Sequence, residues 1–373
     1  MKRRGLLFTL FVVLLHACGG GDSGGTTTDN PTPSERLNPQ LAGRVFVDAQ
    51  STFPGKILDL STGEYSPIPG MEEWDQQDDY TGVAFVTAYP SHNGVEVVET
   101  VHNCEKIDGS LYKNDCVIIH DSDGTRLVHM VALEAMEHSA RLSFDRQYIA
   151  FAYDEYDNDN ISLHIYDRTG QLISYNNLYE QFPDSHDDPE FDWLPDGRLV
   201  YIVDQTIYIT APYDTHGTPL ITFTEEQGEP QDPSVSPDGK RLAFELDTGG
   251  SFASEKSTVW VMSLDDTSDL HQLAVVPGDD DPSIIHPIWS PDGNWIMVTE
   301  GISRGMGPIL SPNVLEQDYS TLYAVPSDGV RVELTLTNPT TAIPVLSNWR
   351  AALLGGEGAI KSSFTGRLVA WVP

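Results

Sequence analysis

The sequence predicts an all-β fold, and the observations behind this prediction are its composition and a tight turn that recurs ahead of short apolar strands. Of the 373 residues, 39% are hydrophobic, which is enough to build a folded core. The 31 glycines and 25 prolines are spread along the chain and exclude a coiled coil. A turn-rich β protein is the class that fits both facts.

The turn occurs in six copies. The clearest copies have Pro-Asp-Gly after the first residue, and the looser ones keep the leading serine. Their first residues are Ser91, Ser143, Leu194, Ser236, Ser290 and Ser363. In every copy the residue six places later is aliphatic, which is typical of a β-strand that follows the turn. Proline presets φ, aspartate bonds nearby backbone and glycine adopts the left-handed conformation, so each copy predicts a tight turn.

Each turn-strand copy except the last is followed by a hairpin of two further strands. The copy Ser363–Trp371 has no hairpin after it, and the hairpin that begins with Ile57–Leu60 has no such copy before it. Joining the two makes one complete unit, so the sequence predicts a closed ring. Repeated four-stranded units of about 40–55 residues describe a β-propeller. We predict six blades, with N- and C-terminal strands closing one of them; Arg44–Asp48 as an extra strand leaves seven blades as the alternative.

The copies Ser236–Phe244 and Ser290–Ile296 resemble the repeat of TolB-like propellers. That repeat also occurs in the propellers of prolyl-oligopeptidase-type peptidases and of oligogalacturonate lyase. The resemblance covers about residues 44–373. It implies the propeller fold and a protein of the bacterial cell envelope.

The N-terminus predicts export. Basic residues precede an apolar run from Leu6 to Leu15, which is typical of a secretory signal. The run is shorter than the roughly 20 apolar residues of a membrane-spanning helix. It ends in Leu15-His16-Ala17-Cys18, which resembles the bacterial lipobox, in which the cysteine becomes the lipidated N-terminus. An ordinary cleaved signal is the alternative.

The lipobox resemblance implies three parts of the chain. Residues 1–17 form the signal peptide, residues 18–42 form a lipidated Cys18 with a Gly-, Ser-, Thr- and Pro-rich tether, and residues 43–373 form the propeller. A segment with so few apolar residues cannot offset its ordering entropy, so the tether is expected to be flexible. Gly19 follows the cysteine, and this implies an outer-membrane lipoprotein that faces the periplasm or the cell surface.

The other two cysteines predict one disulfide. Cys104 and Cys116 flank a polar segment in a chain that is expected in an oxidising compartment. A bridge would stabilise the fold by roughly 2–4 kcal/mol. Two free thiols are the alternative.

The formal charge of −35 restricts the partners. Nucleic acid is excluded, because phosphate binding needs clustered Lys and Arg. Docking on anionic lipid is disfavoured, so membrane contact is expected only through the lipid anchor. The expected partner is an envelope protein or a glycan on one face of the disc, and the protein is expected to be a monomer.

The channel supplies the candidate ligands. The innermost strand of each blade should precede the turn, and the residues four places before each turn should line the axis. These residues are Thr87, Ser139, Glu190, Asp232, His286 and Ala359. Carboxylate and imidazole groups in a ring could hold a divalent cation, with a hydrated polar channel as the alternative.

A second metal hypothesis concerns calcium. Asp154, Asp157 and Asp159 lie in a dense acidic segment and could offer oxygen ligands to Ca²⁺. A solvated hairpin turn is the alternative interpretation. The sequence requires no cofactor, and calcium is the candidate that it suggests.

No catalytic residue is assigned. Gly301–Gly305 matches the G-x-S-x-G nucleophile elbow, but the last histidine, His286, precedes it, whereas an α/β-hydrolase needs its histidine after the serine. The sequence therefore favours a non-enzymatic envelope lipoprotein whose propeller is a protein- or ligand-binding scaffold. The alternatives are a polysaccharide lyase or hydrolase with a metal in the channel, and a passive carbohydrate-binding or structural envelope module.

Overall fold

A computed structural model describes the following parts of the chain: residues 41–48, 56–62, 65–68, 86–101, 114–121, 124–132, 140–155, 160–178, 182, 189–248, 257–275, 283–301, 321–334, 343–347 and 367–373. These residues form six β-sheets arranged as the blades of a propeller. Each blade has four antiparallel strands, and one blade carries a short fifth strand. The predicted all-β, six-bladed propeller is therefore confirmed.

The strands follow the chain from blade to blade. Blade 1 contains β1 (Arg44–Asp48), β2 (Lys56–Asp59), β3 (Tyr65–Pro67) and the C-terminal β25 (Arg367–Val372). Blade 2 contains β4 (Val86–Pro90), β5 (Val97–Val101), β6 (Asn114–Asp121) and β7 (Gly124–Ala132). Blade 3 contains β8 (Ala140–Leu142), β9 (Tyr148–Glu155), β10 (Asn160–Asp167) and β11 (Leu172–Asn177).

The second half of the ring repeats this plan. Blade 4 contains β12 (Glu190–Trp193), β13 (Leu199–Val203), β14 (Thr206–Thr210) and β15 (Gly217–Thr222). Blade 5 contains β16 (Glu229–Val235), β17 (Arg241–Asp247), β18 (Ser257–Ser263) and β19 (Leu270–Val275), whose outer edge pairs in parallel with β23 (Val332–Glu333). Blade 6 contains β20 (Ser283–Trp289), β21 (Trp295–Gly301), β22 (Thr321–Pro326) and β24 (Ile343–Ser347).

The two ends of the chain close blade 1. β25 pairs antiparallel with β1, so that Trp371 lies opposite Val45. The indole of Trp371 donates a hydrogen bond to the Ala42 carbonyl at 2.9 Å. Because β1 is the second strand of this blade, Arg44–Asp48 is no strand of an extra blade, and the seven-blade alternative is wrong.

The last strand departs from the turn repeat in its position. In the other blades the innermost strand precedes the turn, whereas β25 follows Ser363 in sequence and lies next to β1 at the edge of the sheet. The innermost strand of blade 1 is therefore β25. Ser363 and Ala359 lie outside the described residues.

The recurring turn is stabilised by a repeated set of side-chain hydrogen bonds. In the copy at Ser236, the serine Oγ donates to Asp238 Oδ1 at 2.7 Å and accepts the backbone N–H of Arg241 at 2.9 Å. Asp238 Oδ1 also accepts the N–H of Lys240 at 3.1 Å. The copies at Ser143 and Ser290 make the same contacts. The sequence pattern thus encodes a turn that satisfies its own backbone donors.

The copy that begins with Leu194 departs from the serine pattern and compensates for it. The N–H of Leu199, five residues into the copy, donates to Thr210 Oγ1 at 2.9 Å. Thr210 lies on β14 and is buried. A hydroxyl from a neighbouring strand therefore replaces the missing serine.

Apolar side chains fill the spaces between neighbouring blades, and tryptophans link the innermost strands. Trp193 of blade 4 donates from its indole to the Arg141 carbonyl of blade 3 at 2.9 Å. Trp289 of blade 6 donates to the Ser234 carbonyl of blade 5 at 2.8 Å. Both side chains are buried. In the part of the chain that the structure describes, no helix is long and apolar enough to cross a membrane.

Candidate functional site at the channel mouth

The innermost strands carry the residues that were predicted to line the channel. Thr87 lies in β4, Glu190 begins β12, and Asp232 and His286 lie in β16 and β20. Ser139 directly precedes β8 and lies outside the described residues. The structure brings Glu190, Asp232 and His286 into one contact chain across three consecutive blades.

β-Bulges place two of these side chains. The pairing of β16 with β17 shifts register between Gln231 and Ser234, and Asp232 adopts a φ of 49° there. The pairing of β20 with β21 shifts at the corresponding place, and His286 adopts a φ of 58°. Left-handed backbone is rare for residues other than glycine, and it occurs here at the same position of two adjacent blades. The bulges turn Asp232 and His286 toward each other.

A hydrogen-bonded cluster results from this geometry. His286 Nδ1 lies 2.5 Å from Asp232 Oδ2. The backbone N–H of Asp232 donates to the Glu190 carboxylate, and the N–H of His286 donates to Glu245 Oε2 at 3.3 Å. Three carboxylates and one imidazole are therefore joined in one hydrogen-bonded network.

Glu245 is the member of this cluster that sequence reasoning missed. It lies in β17, opposite Gln231, and is 5% exposed. Burial raises its pKa to about 6, while the neighbouring His286 and a hydrogen bond from Ser257 act in the opposite direction. The sequence signal that could have revealed Glu245 is that it is the one carboxylate between Leu242 and Leu246, an otherwise apolar part of β17.

An ion pair lies beside this cluster on the channel wall. Arg141 Nη1 is 3.3 Å from Asp192 Oδ1, and the guanidinium lies over the Tyr89 ring at 4.6 Å from its centroid. Asp192 Oδ2 accepts the N–H of Val235 at 2.8 Å. Asp192 therefore joins blades 3, 4 and 5 at the channel.

A cavity of about 260 Å³ opens above these groups. Its floor contains the charged residues, which are Arg141, Asp192, Asp232 and His286. Its collar contains the second residue of four turns, which are His92, Phe144, Pro237 and Pro291. The His92 and Phe144 rings stack with centroids 3.4 Å apart. The cavity thus has an apolar and aromatic entrance over a charged floor, which is the usual construction of a ligand site.

The C-terminal strand builds one wall of the same cavity. Leu368, Trp371 and Pro373 are among its lining residues. Arg44 Nε donates to the Pro373 carbonyl at 3.3 Å, and Arg44 Nη2 donates to the Gly94 carbonyl at 3.2 Å. Arg44 therefore fixes the chain end beside the turn of blade 2.

The remaining predicted sites are only partly within the described residues. Asp154 lies near the end of β9, but Asp157 and Asp159 lie outside the described residues, so the calcium hypothesis stays a prediction. Cys116 is buried in β6. Cys104 and Cys18 lie outside the described residues, so the disulfide and the lipid anchor also stay predictions.

Comparison with known proteins finds similarity only among solved structures. No family model matches the chain, and no curated protein matches it. TolB from Acinetobacter baumannii superposes with a TM-score of 0.49 at 15% identity, over 78% of this chain and 65% of that one. A putative TolB from Agrobacterium tumefaciens gives 0.46 at 13% identity, over 82% and 89%. Oligogalacturonate lyase from Vibrio parahaemolyticus gives 0.43 at 14% identity, over 67% and 69%. The chain is similar to TolB proteins in having a β-propeller, and it spans about two thirds of the Acinetobacter structure.

Proposed function

We propose that this protein is a non-catalytic scaffold of the bacterial cell envelope that binds a protein or glycan partner at the channel mouth. The observation that carries the proposal is the cavity with a collar of His92, Phe144, Pro237 and Pro291 above a charged floor. Rings and prolines that are rigid or already packed offer contact area at little entropic cost. The floor offers both charge signs for orienting a partner.

The floor groups support recognition because they are held in place by one another. Arg141 is paired with Asp192, and Asp232 is paired with His286. A site whose polar groups are already ordered loses less entropy when a partner binds. Binding through such a site needs no movement of the blades.

Site-specific photo-crosslinking tests this proposal in cells that export the protein. A crosslinker at His92 should give a discrete adduct with an envelope component. The matched control position is Val330, which is 59% exposed and lies away from the cavity lining. Equal adducts from positions 92 and 330, or none from position 92, would argue against binding at the mouth.

A polysaccharide lyase or hydrolase is the second candidate, and the Asp232–His286 pair is the observation that favours it, since such a pair can transfer a proton. The triple variant Glu190→Gln, Asp232→Asn and His286→Asn separates the two functions. An enzyme should turn over acidic polysaccharide as the wild type and lose this turnover in the variant. A scaffold should show no turnover as the wild type, and its crosslink at position 92 should weaken in the variant because groups of the floor are lost.

A further inference from the structure

We propose that Asp232, Glu245 and His286 bind one Zn²⁺ ion between blades 5 and 6. The three donor atoms, two carboxylate oxygens and one imidazole nitrogen, lie within 4.8 Å of one another. This inference does not depend on which partner the collar binds.

The distances require only a small adjustment. Zinc bonds of about 2.0–2.1 Å in a tetrahedral site place neighbouring donors roughly 3.3 Å apart. The three donor atoms already lie within 4.8 Å of one another, so the pairs that are farther apart than about 3.3 Å would move slightly closer around an ion. The direct contact between Asp232 and His286 would lengthen by about 1 Å as both turned to the ion.

The charge balance favours a cation. Three carboxylates, those of Asp232, Glu245 and Glu190, and one imidazole belong to the same contact network, and Arg141 on the neighbouring wall is already paired with Asp192. The Asp232 side chain is 11% exposed and Glu245 is 5% exposed, so water screens the repulsion between the two carboxylates poorly. A bound divalent ion would neutralise two of these charges.

The donor set selects the class of metal. Ca²⁺ takes six to eight oxygen ligands and Mg²⁺ prefers oxygen and water, whereas imidazole suits Zn²⁺ and other transition ions. An exposed acidic surface would bind Ca²⁺ and Mg²⁺ weakly and at many places. The mixed set of one nitrogen and two oxygens therefore predicts preference for Zn²⁺ over Ca²⁺.

Access for an ion comes from the cavity. Asp232 and His286 line it, and Glu245 lies behind them on the second strand of blade 5. An ion that enters the mouth would meet the first two ligands directly. The third would come from the adjacent strand without movement of a blade.

Metal titration of the full chain tests the proposal. After treatment with EDTA, the protein should bind about one equivalent of Zn²⁺ in calorimetry, and Ca²⁺ at least about tenfold more weakly. Asp232→Asn, His286→Asn and Glu245→Gln should each weaken Zn²⁺ binding by at least about tenfold. Asparagine tolerates left-handed backbone, so the first two variants keep the bulges.

The matched control is the exposed pair Asp214 and His216, whose Oδ1 and Nδ1 atoms are 3.1 Å apart on the surface. Asp214→Asn with His216→Asn should leave the stoichiometric Zn²⁺ site unchanged. No stoichiometric site in the wild type, or equal binding by the site and control variants, would overturn the proposal.

A footprint on the wild-type protein gives a second readout that needs no variant. Diethyl pyrocarbonate modifies accessible imidazoles, and mass spectrometry locates the adducts. Saturating Zn²⁺ should protect His286 and leave His216 reactive. Equal protection of both histidines, or no protection of His286 relative to the metal-free protein, would refute the assignment of His286 as a ligand.

Discussion

The serine that begins four of the described turns accepts the backbone N–H of the residue five places later. Ser236 is fully buried, donates to Asp238 and accepts from the Arg241 backbone. Ser236→Ala should destabilise the protein by about 1–3 kcal/mol, because the Arg241 N–H loses its partner inside the protein. Chemical denaturation monitored by tryptophan fluorescence measures this loss.

The control for this prediction is Ser268→Ala. Ser268 makes a similar contact, its Oγ to Asp266 Oδ1 at 2.6 Å, but it is exposed, so water can replace the hydroxyl. Its loss should change stability by less than about 0.5 kcal/mol. Equal effects of the two substitutions would contradict the buried-turn explanation.

Two turn glycines have similar backbone angles but different neighbours, so their alanine variants separate the effect of steric crowding from that of left-handed backbone strain. Gly239 has a φ of 69°, and a Cβ there would lie 2.7 Å from Pro195 Cδ. Gly293 has a φ of 71°, and its Cβ would lie 3.7 Å from Pro237 Cδ, an ordinary contact. Both alanine variants should lose about 1–2 kcal/mol through left-handed strain.

Gly239→Ala should lose more than Gly293→Ala, because the neighbouring proline must also move. Comparison of the two melting temperatures by differential scanning calorimetry tests this difference. A larger loss for Gly293→Ala would show that the packing of successive turns is different.

Residue patterns predicted part of the candidate site. Glu190, Asp232 and His286 were found because they hold the same place before three turns. Glu245 was missed because it lies on the second strand, where the repeat predicts apolar residues. The Arg141–Asp192 pair and the collar were missed because they form only when separate blades meet.

At the scale of elements, β25 has the largest consequences. Leu368 and Trp371 belong to one buried cluster with residues of blades 1 and 6, and Trp371 also donates to the Ala42 carbonyl. Trp371→Ala should therefore cost about 3–5 kcal/mol. Trp295, only partly buried against the same cluster, is the control and should lose less when it is replaced by alanine.

Deletion from Ser363 onward is the stronger form of this prediction. It removes the whole innermost strand and leaves β1 with an unpaired edge. The whole domain should then melt at a much lower temperature, or it should lose its cooperative melting transition. A truncated protein that melts cooperatively near the wild-type temperature would contradict ring closure by β25.

The turn repeat was sufficient to predict the six blades and their closure, but not the place of β25 within its blade. Alternating apolar residues such as Leu368 and Ala370 fit either an innermost or a second strand. The distinction depends on pairing with β1, more than 300 residues away in sequence, and local pattern carries no information on it.

At the scale of the whole molecule, charge opposes compactness. The formal charge is −35, so like charges repel in the folded ring more than in an expanded chain. Raising the salt concentration from about 0.01 M to 0.5 M should screen this repulsion and raise the melting temperature. The measurement needs EDTA throughout, so that binding of a metal ion does not add to the effect of salt. A melting temperature that stays flat or falls as salt is added would contradict the prediction.

The lipid anchor is tested at the same scale. Cys18→Ser should move the protein from the membrane fraction to the soluble periplasmic fraction, because the only predicted membrane attachment is removed. Ser23→Ala, in the same N-terminal segment, is the control and should leave the fractionation unchanged. A wild-type protein that is already soluble would show that the N-terminal segment is an ordinary cleaved signal.

The seam between β1 and β25 has a consequence for ligand binding, since β25 is also a wall of the cavity. A molecule that binds at the mouth contacts a wall that exists only while the seam is shut. By thermodynamic linkage, occupancy must then lower the population of molecules whose last strand is detached, and an intact seam must tighten binding. Protease cleavage near the C-terminus would report on binding without any label on the ligand.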